Sequence, residues 1–231
     1  MSLILNIDTA QEIAQISVAQ NGHVLGGASN DEQREHAAFV QPAIQSLMTR
    51  LGLAMGDLNA VALSIGPGSY TGLRVGMASA KGICYTLKIP LIGVGTLELM
   101  AHAAQLDSPD FDQWCPMIDA RRQEVYTAVY DRDLRPVLPP QAMILDTESF
   151  GDFIKNQRIL FFGSGSFKWE KIIPQAHYQK GCIFKKILIT NFSLANLSNR
   201  YFIQEQFINL AYAEPFYLKE FHNSSANLKT Q

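Results

Sequence analysis

The stretch LILNIDTAQEIAQISVAQNGHVLGGAS, residues 3–29, decides the fold class. It holds three short β-type runs, Leu3–Asp8, Ala14–Gln20 and Val24–Ser29, separated by Ala10–Glu12 and by Asn21-Gly22. An Asn-Gly pair supplies the positive φ angles of a tight hairpin turn, so the runs predict an antiparallel meander. From Asp31 the period changes. Ala37, Val40, Ile44, Leu47, Met48 and Leu51 recur at three- and four-residue spacing and Gly52 follows, which predicts an amphipathic helix with a glycine stop. Val61–Ile65 is a short apolar run, Gly66–Gly72 a glycine-rich loop, and Leu73–Leu87 a second helix with Leu73, Met77, Ala80, Cys84 and Leu87 on one face. Leu91–Val94 gives a fifth strand, and Thr96 with Glu98 behind it opens a third helix to about Ala104. The order βββαβαβα joins a meander to parallel crossovers, so the sheet should be mixed and covered by helices.

Beyond Ala104 the pattern weakens. Leu106–Gln113, rich in Asp and Pro, separates the first lobe from a second, whose opening is Cys115–Asp119 paired with Glu124–Asp131. Arg158–Phe162 is a strand candidate before Gly163-Ser164-Gly165, Gly181–Arg200 shows no clear period, and Asn223–Gln231 reads as a polar tail. The division expected is an N-terminal lobe over residues 1–105, a smaller and degenerate C-terminal lobe over 106–222, and the tail over 223–231.

The chain has 231 residues, 47% of them hydrophobic and 17% charged, a balance that suits a folded protein with a core rather than a disordered chain. Its formal charge of −2 supplies no net electrostatic draw toward nucleic acid, which disfavours autonomous nucleic-acid binding. Cys84, Cys115 and Cys182 are odd in number and far apart, so neither a disulfide framework nor a zinc knuckle is indicated. No apolar run approaches the ~18 residues of a membrane helix, and Met1–Asp8 lacks a signal-peptide pattern, so a cytosolic location is expected.

Several residues invite a functional reading beside a structural one. Asp8-Thr9, at the end of the first strand, suits a nucleotide-phosphate hairpin, although Thr9-Ala10-Gln11 lacks the glycine that would ease backbone approach; Asp8 as a turn residue is the alternative. Gly66-Pro67-Gly68-Ser69-Tyr70-Thr71-Gly72 is neither a Walker A loop nor GxGxxG, and reads as an anion cradle or a tight turn. His36 has no metal-ligand partner at helical spacing and reads as a surface or interface histidine. Arg121 and Arg122, in Asp119-Ala120-Arg121-Arg122-Gln123-Glu124, suit a phosphate or carboxylate, or simply a charged hairpin. Leu73, Gly76, Met77, Ala80 and Cys84 on the second helix, with Phe39, Val40 and Ala43 on the first, form apolar faces whose competing roles are core and partner interface. If they are interface, Met77→Asp or Ala80→Arg abolishes pairing and leaves the monomer folded.

Ile4–Thr9, Gly66-Pro67-Gly68-Ser69-Tyr70-Thr71-Gly72-Leu73-Arg74-Val75-Gly76, Ala80-Lys81-Gly82, Asp119 through Tyr126 and Pro215-Phe216-Tyr217-Leu218-Lys219 together resemble the TsaB family, also called YeaZ. The likeness is dense over residues 3–130. It implies a two-lobe actin-like fold of the ribonuclease H-like type, shared with sugar kinases and Hsp70. It also implies a non-catalytic subunit that pairs with the catalytic paralogue TsaD, which forms threonylcarbamoyladenosine on tRNA beside the anticodon, and helps recruit the ATPase TsaE. The tRNA would be met only through that complex, and a homodimer is possible in isolation. The paralogue's metal-binding His-x-x-x-His falls where this chain has Thr96-Leu97-Glu98-Leu99-Met100, so no metal and no cofactor beyond weak nucleotide binding at Asp8 and Thr9 is expected. The interface implied is the helix pair, with His36, Phe39, Val40, Ala43, Leu73, Gly76, Met77, Ala80 and Cys84 as contacts. The competing functions are a glycoprotease-like peptidase and a sugar-kinase-like phosphotransferase.

Overall fold

The computed structural model describes residues 2–155, 157–174 and 181–219. The meander is present as β1 (Leu3–Asp8), β2 (Ala14–Gln20) and β3 (His23–Asn30), with Asn21 at φ 50° and Gly22 at φ 82° forming the turn. Then follow α1 (His36–Leu51), β4 (Ala60–Gly66), α2 (Tyr70–Leu87), β5 (Leu91–Gly95) and α3 (Thr96–Asp107). Gly52 ends α1 in the left-handed region at φ 67°, where its amide reaches back to the Met48 and Thr49 carbonyls. Ser69 starts α2, its hydroxyl accepting from the Gly72 amide at 3.3 Å.

The second lobe contains β6 (Gln113–Asp119), β7 (Glu124–Tyr130), β8 (Pro136–Ile144), β9 (Ile159–Phe162), α4 (Ser166–Glu170) and β10 (Cys182–Phe184), after which α5 (Asn191–Ile203) closes the helical part of the chain. Sheet one runs β3-β2-β1-β4-β5 and sheet two runs β8-β7-β6-β9-β10, so both carry the same strand order. In each, the first three strands are antiparallel and the last two join in parallel. The fold is therefore two copies of one α/β motif, as the actin-like reading requires. The second copy keeps its whole sheet; its degeneracy lies in the described helices, where a five-residue α4 stands in place of a long crossover helix.

The expected division assigned all of residues 106–222 to the second lobe. α5 and the segment after it return to the first lobe rather than completing the second. Ser198 donates to Asn6 at 2.6 Å, Ser2 to Asn199 at 2.6 Å, and the Ile208 amide to Leu91 at 2.9 Å. Sheet one is thus sandwiched, with α1 and α2 on one face and α3 and α5 on the other. Along that second face the core is continuous between lobes: Ile4, Ala62, Ile92 and Val94 of sheet one join Trp114, Ala128, Leu160 and Phe162 of sheet two through Leu97, Leu194 and Leu197. A separate aromatic group backs the far face of sheet two, where Trp169 lies 4.7 Å from Phe161 and 4.9 Å from Phe150, ring centre to ring centre. The predicted tail, residues 223–231, lies outside the described residues.

Candidate functional site

The end of β1 is closed by the glycine loop. Asp8 is only 3% exposed, and its Oδ1 accepts from Ser64 Oγ at 2.5 Å and from the Ala10 amide at 3.1 Å. Burial raises its pKa above the usual carboxylate value, against the opposing hydrogen bonds from Ser64, Ala10 and Gln11 and the influence of His36. Thr9 donates to the Gly72 carbonyl at 2.7 Å, and the Ser69 amide donates to Ala10 O at 2.7 Å. A Cβ at Gly68 would overlap the Ala10 carbonyl and one at Gly72 the Thr9 carbonyl, which explains why the loop needs glycine there. The glycine loop packs against the Thr9 and Ala10 backbone on one side of the hairpin, while Glu12 and Ile13 at its tip are exposed. The loop is a close-packed turn against the end of β1.

Thr96 and Met100, which the resemblance sets against the paralogue's imidazoles, are both buried, and the Met100 Cε lies 2.7 Å from where a Cβ on Gly163 of the second lobe would stand. Glu98, on the same turn, is claimed by Tyr201 Oη at 2.5 Å and by Arg200 at 3.5 Å; burial raises its carboxyl pKa. His102 Nε2 faces Asn196 Oδ1 at 2.9 Å, and burial lowers its pKa. Among the described residues, no group of three or more His, Cys, Asp or Glu side chains is arranged to hold a metal ion. These groups instead tie α3 to α5.

The helix faces nominated as partner interface are corrected by burial. Val40, Ala80 and Cys84 have no exposed surface, Leu73 1%, Met77 5% and Ala43 7%. Gly76 is buried and a Cβ there would meet Thr9 Oγ1 at 2.5 Å, while Phe39 packs half-buried against the same core. His36 is 2% exposed, and neither ring nitrogen has a hydrogen-bond partner, so it is an internal residue rather than a surface one. Eight of the nine are buried inside lobe one and Phe39 is half-buried at its edge, because apolarity marks the stripe facing the sheet first. The outward face carries Ala37, Ala38, Gln41, Pro42 and Gln45 on α1 and Thr71, Ala78, Gly82 and Tyr85 on α2, a surface of mostly small side chains. A Cβ on Gly82 would meet nothing within 4 Å.

Arg121 and Arg122 do sit on the β6–β7 turn, both in left-handed backbone at φ 70° and 47°. Lys168 holds that turn from below, its Nζ 2.6 Å from Asp119 and 3.1 Å from the Glu124 carbonyl. Sequence reasoning gave no role of its own to Tyr217 and Lys219. Tyr217 accepts a 3.3 Å hydrogen bond from Arg74, whose guanidinium stacks 4.1 Å over Tyr70, and Lys219 pairs with Glu124. Only their match to a family motif marked them, since a strap without periodicity leaves no pattern.

A family model described as "TsaD: tRNA N6-adenosine threonylcarbamoyltransferase" matches residues 23–195. The tRNA threonylcarbamoyladenosine biosynthesis protein TsaB of Bacillus subtilis strain 168 is 31% identical over 192 residues, covering 78% of this chain and 79% of that protein. The chain belongs to the TsaB family. Its likeness to the TsaB of Escherichia coli K12 is 38% over 130 residues, 56% of this chain and 55% of that one, so the match spans about half the length of that relative. The TsaB fold is also that of a solved structure of YeaZ from Pseudomonas aeruginosa, with a TM-score of 0.79 at 22% identity over 94% of this chain and all of the other. A second structure, from the same organism and described as similar to peptidase YeaZ, gives a TM-score of 0.82 at 22% identity over 95% of this chain and all of the other. No helix among the described residues is long and apolar enough to cross a membrane.

Proposed function

We propose that this chain is a non-catalytic subunit of the assembly that forms threonylcarbamoyladenosine on tRNA, where it docks a TsaD-type catalytic paralogue through the outward faces of α1 and α2. The observation that carries the reading is the surface of α2 itself: Ala78 and Gly82 are exposed on a helix whose inner stripe is already satisfied by the core. Small side chains on an outer helix face permit close helix approach, which suits a pairing surface. Family membership supplies the pathway. Thr96 and Met100, where the resemblance sets the paralogue's imidazoles, support a role without turnover, since neither side chain supplies the imidazole that would hold a metal able to neutralise developing charge. Nucleotide binding by the lone chain is weak in this reading, TsaE joins through the pair, and tRNA is met only in the complex, in the cytoplasm.

The test is reconstitution. The purified chain, supplied with threonylcarbamoyl adenylate and tRNA, yields no modified adenosine alone and yields it once the paralogue is added. Product from the chain alone would overturn the proposal.

A further inference from the structure

The described residues after α5 form a strap along lobe one that reaches lobe two at Lys219. Ile208 donates its amide to Leu91 at 2.9 Å, Lys81 Nζ binds the carbonyls of Ala211 at 3.3 Å and Ala213 at 2.9 Å, and the Phe216 amide donates to Ile65 at 2.7 Å. Next, Tyr217 stacks on Tyr70 with ring centres 5.5 Å apart and accepts from Arg74 at the first turns of α2. Two residues later Lys219 crosses to Glu124, whose side chain is 17% exposed. Four anchors therefore hold lobe one and the fifth holds lobe two.

What Lys219 reaches is a strained turn. Glu124 closes it, its amide donating to Arg121 O and its carbonyl accepting from the Ala120 amide, both at 3.1 Å. The two residues between, Arg121 and Arg122, have the left-handed backbone that side chains other than glycine adopt at an energetic cost. Such a conformation persists only where the surroundings over-determine it. Lys168 restrains the turn from within lobe two, and Lys219 restrains it from the strap.

We propose that the strap is a clamp that fixes the Arg121–Arg122 turn relative to the start of α2, so that a change at Tyr70, Arg74 and Tyr217 is transmitted to the turn through Lys219. It deepens the docking reading, on which it rests for the claim that α2 faces a partner; the mechanical link stands on the contacts alone.

Amide hydrogen exchange on the full chain tests it. Lys219→Met and Glu124→Gln each speed exchange of the Ala120 and Glu124 amides by about three- to fivefold, the range set by a partly exposed ion pair. The double variant adds nothing further, and the charge-exchanged pair Lys219→Glu with Glu124→Lys restores most of the protection. Tyr217→Ala speeds the same two amides, while Lys155→Met, which breaks the exposed pair with Asp152, leaves them unchanged. Unaltered exchange in Lys219→Met, additive single effects, or a Tyr217→Ala effect confined to α2 would overturn the clamp. Binding of the paralogue by the same variants is read separately: a loosened turn with full pairing keeps the clamp and removes its link to docking.

Discussion

Met77 and Ala80 lie on the side of α2 that meets β4, so a charge placed there enters lobe one's core rather than a subunit contact. Met77→Asp or Ala80→Arg is expected to lower the stability of the isolated chain by about 3–5 kcal/mol, because an unpaired charge is left buried. Urea denaturation checks this; an unchanged midpoint would return both residues to the surface. Gly72→Ala sets a methyl group against the Thr9 carbonyl and should cost about 2–3 kcal/mol by the same assay, as overpacking against backbone does. Asp8 provides a pH signature. Its folded pKa lies above the unfolded value, so as pH rises from below 3.8 the unfolded chain releases the proton first and stability falls until the folded carboxyl also titrates. Asp8→Asn retains the oxygen that Ser64 and Ala10 address and removes the titration. The variant should therefore gain on the wild type as pH rises from 3 to 7, and parallel stability profiles would refute this account of the buried carboxyl.

At the scale of elements, legibility followed how many sides of each segment are buried. β1–β5 and α1–α3 were readable because strong turn and cap signals, Asn21-Gly22 and Gly52 among them, punctuate runs of regular period. α5 was not readable. It is packed between the lobes, and its Asn196, Ser198 and Asn199 are polar residues satisfied by His102, Asn6 and Ser2, which interrupt the short apolar stripe of Leu194, Leu197 and Tyr201. The candidate site divided the same way. The sequence located the helix pair but named its inner stripe, because the outer face of Ala37, Ala38, Ala78 and Gly82 is too weakly apolar to stand out. Gly82 makes this testable without disturbing the fold. Arginine there has open space and a better helix propensity, so Gly82→Arg should leave the isolated chain as stable as the wild type or more so by up to ~1 kcal/mol. A fall in its thermal midpoint would place Gly82 in the interior.

The whole molecule is held together by a core that neither lobe owns. Ile92 and Val94 from one sheet and Leu160 and Phe162 from the other meet through α3 and α5, and the strap adds an ion pair across the lobes. Lobe one without α5 would expose the face that Leu194 and Leu197 cover, so residues 1–105 alone should not fold cooperatively, and the intact chain should melt in one calorimetric transition. Two resolved transitions would show the lobes to be independent. This shared core joins the two lobes and suits the chain to presenting a surface. The most direct test of that view is titration of the chain with its TsaD-type paralogue in sedimentation or calorimetry, comparing the wild type with Gly82→Arg and Ala78→Arg. Affinity should fall at least about tenfold in both variants while each chain stays folded; wild-type affinity in both would contradict docking through the outer faces of α1 and α2.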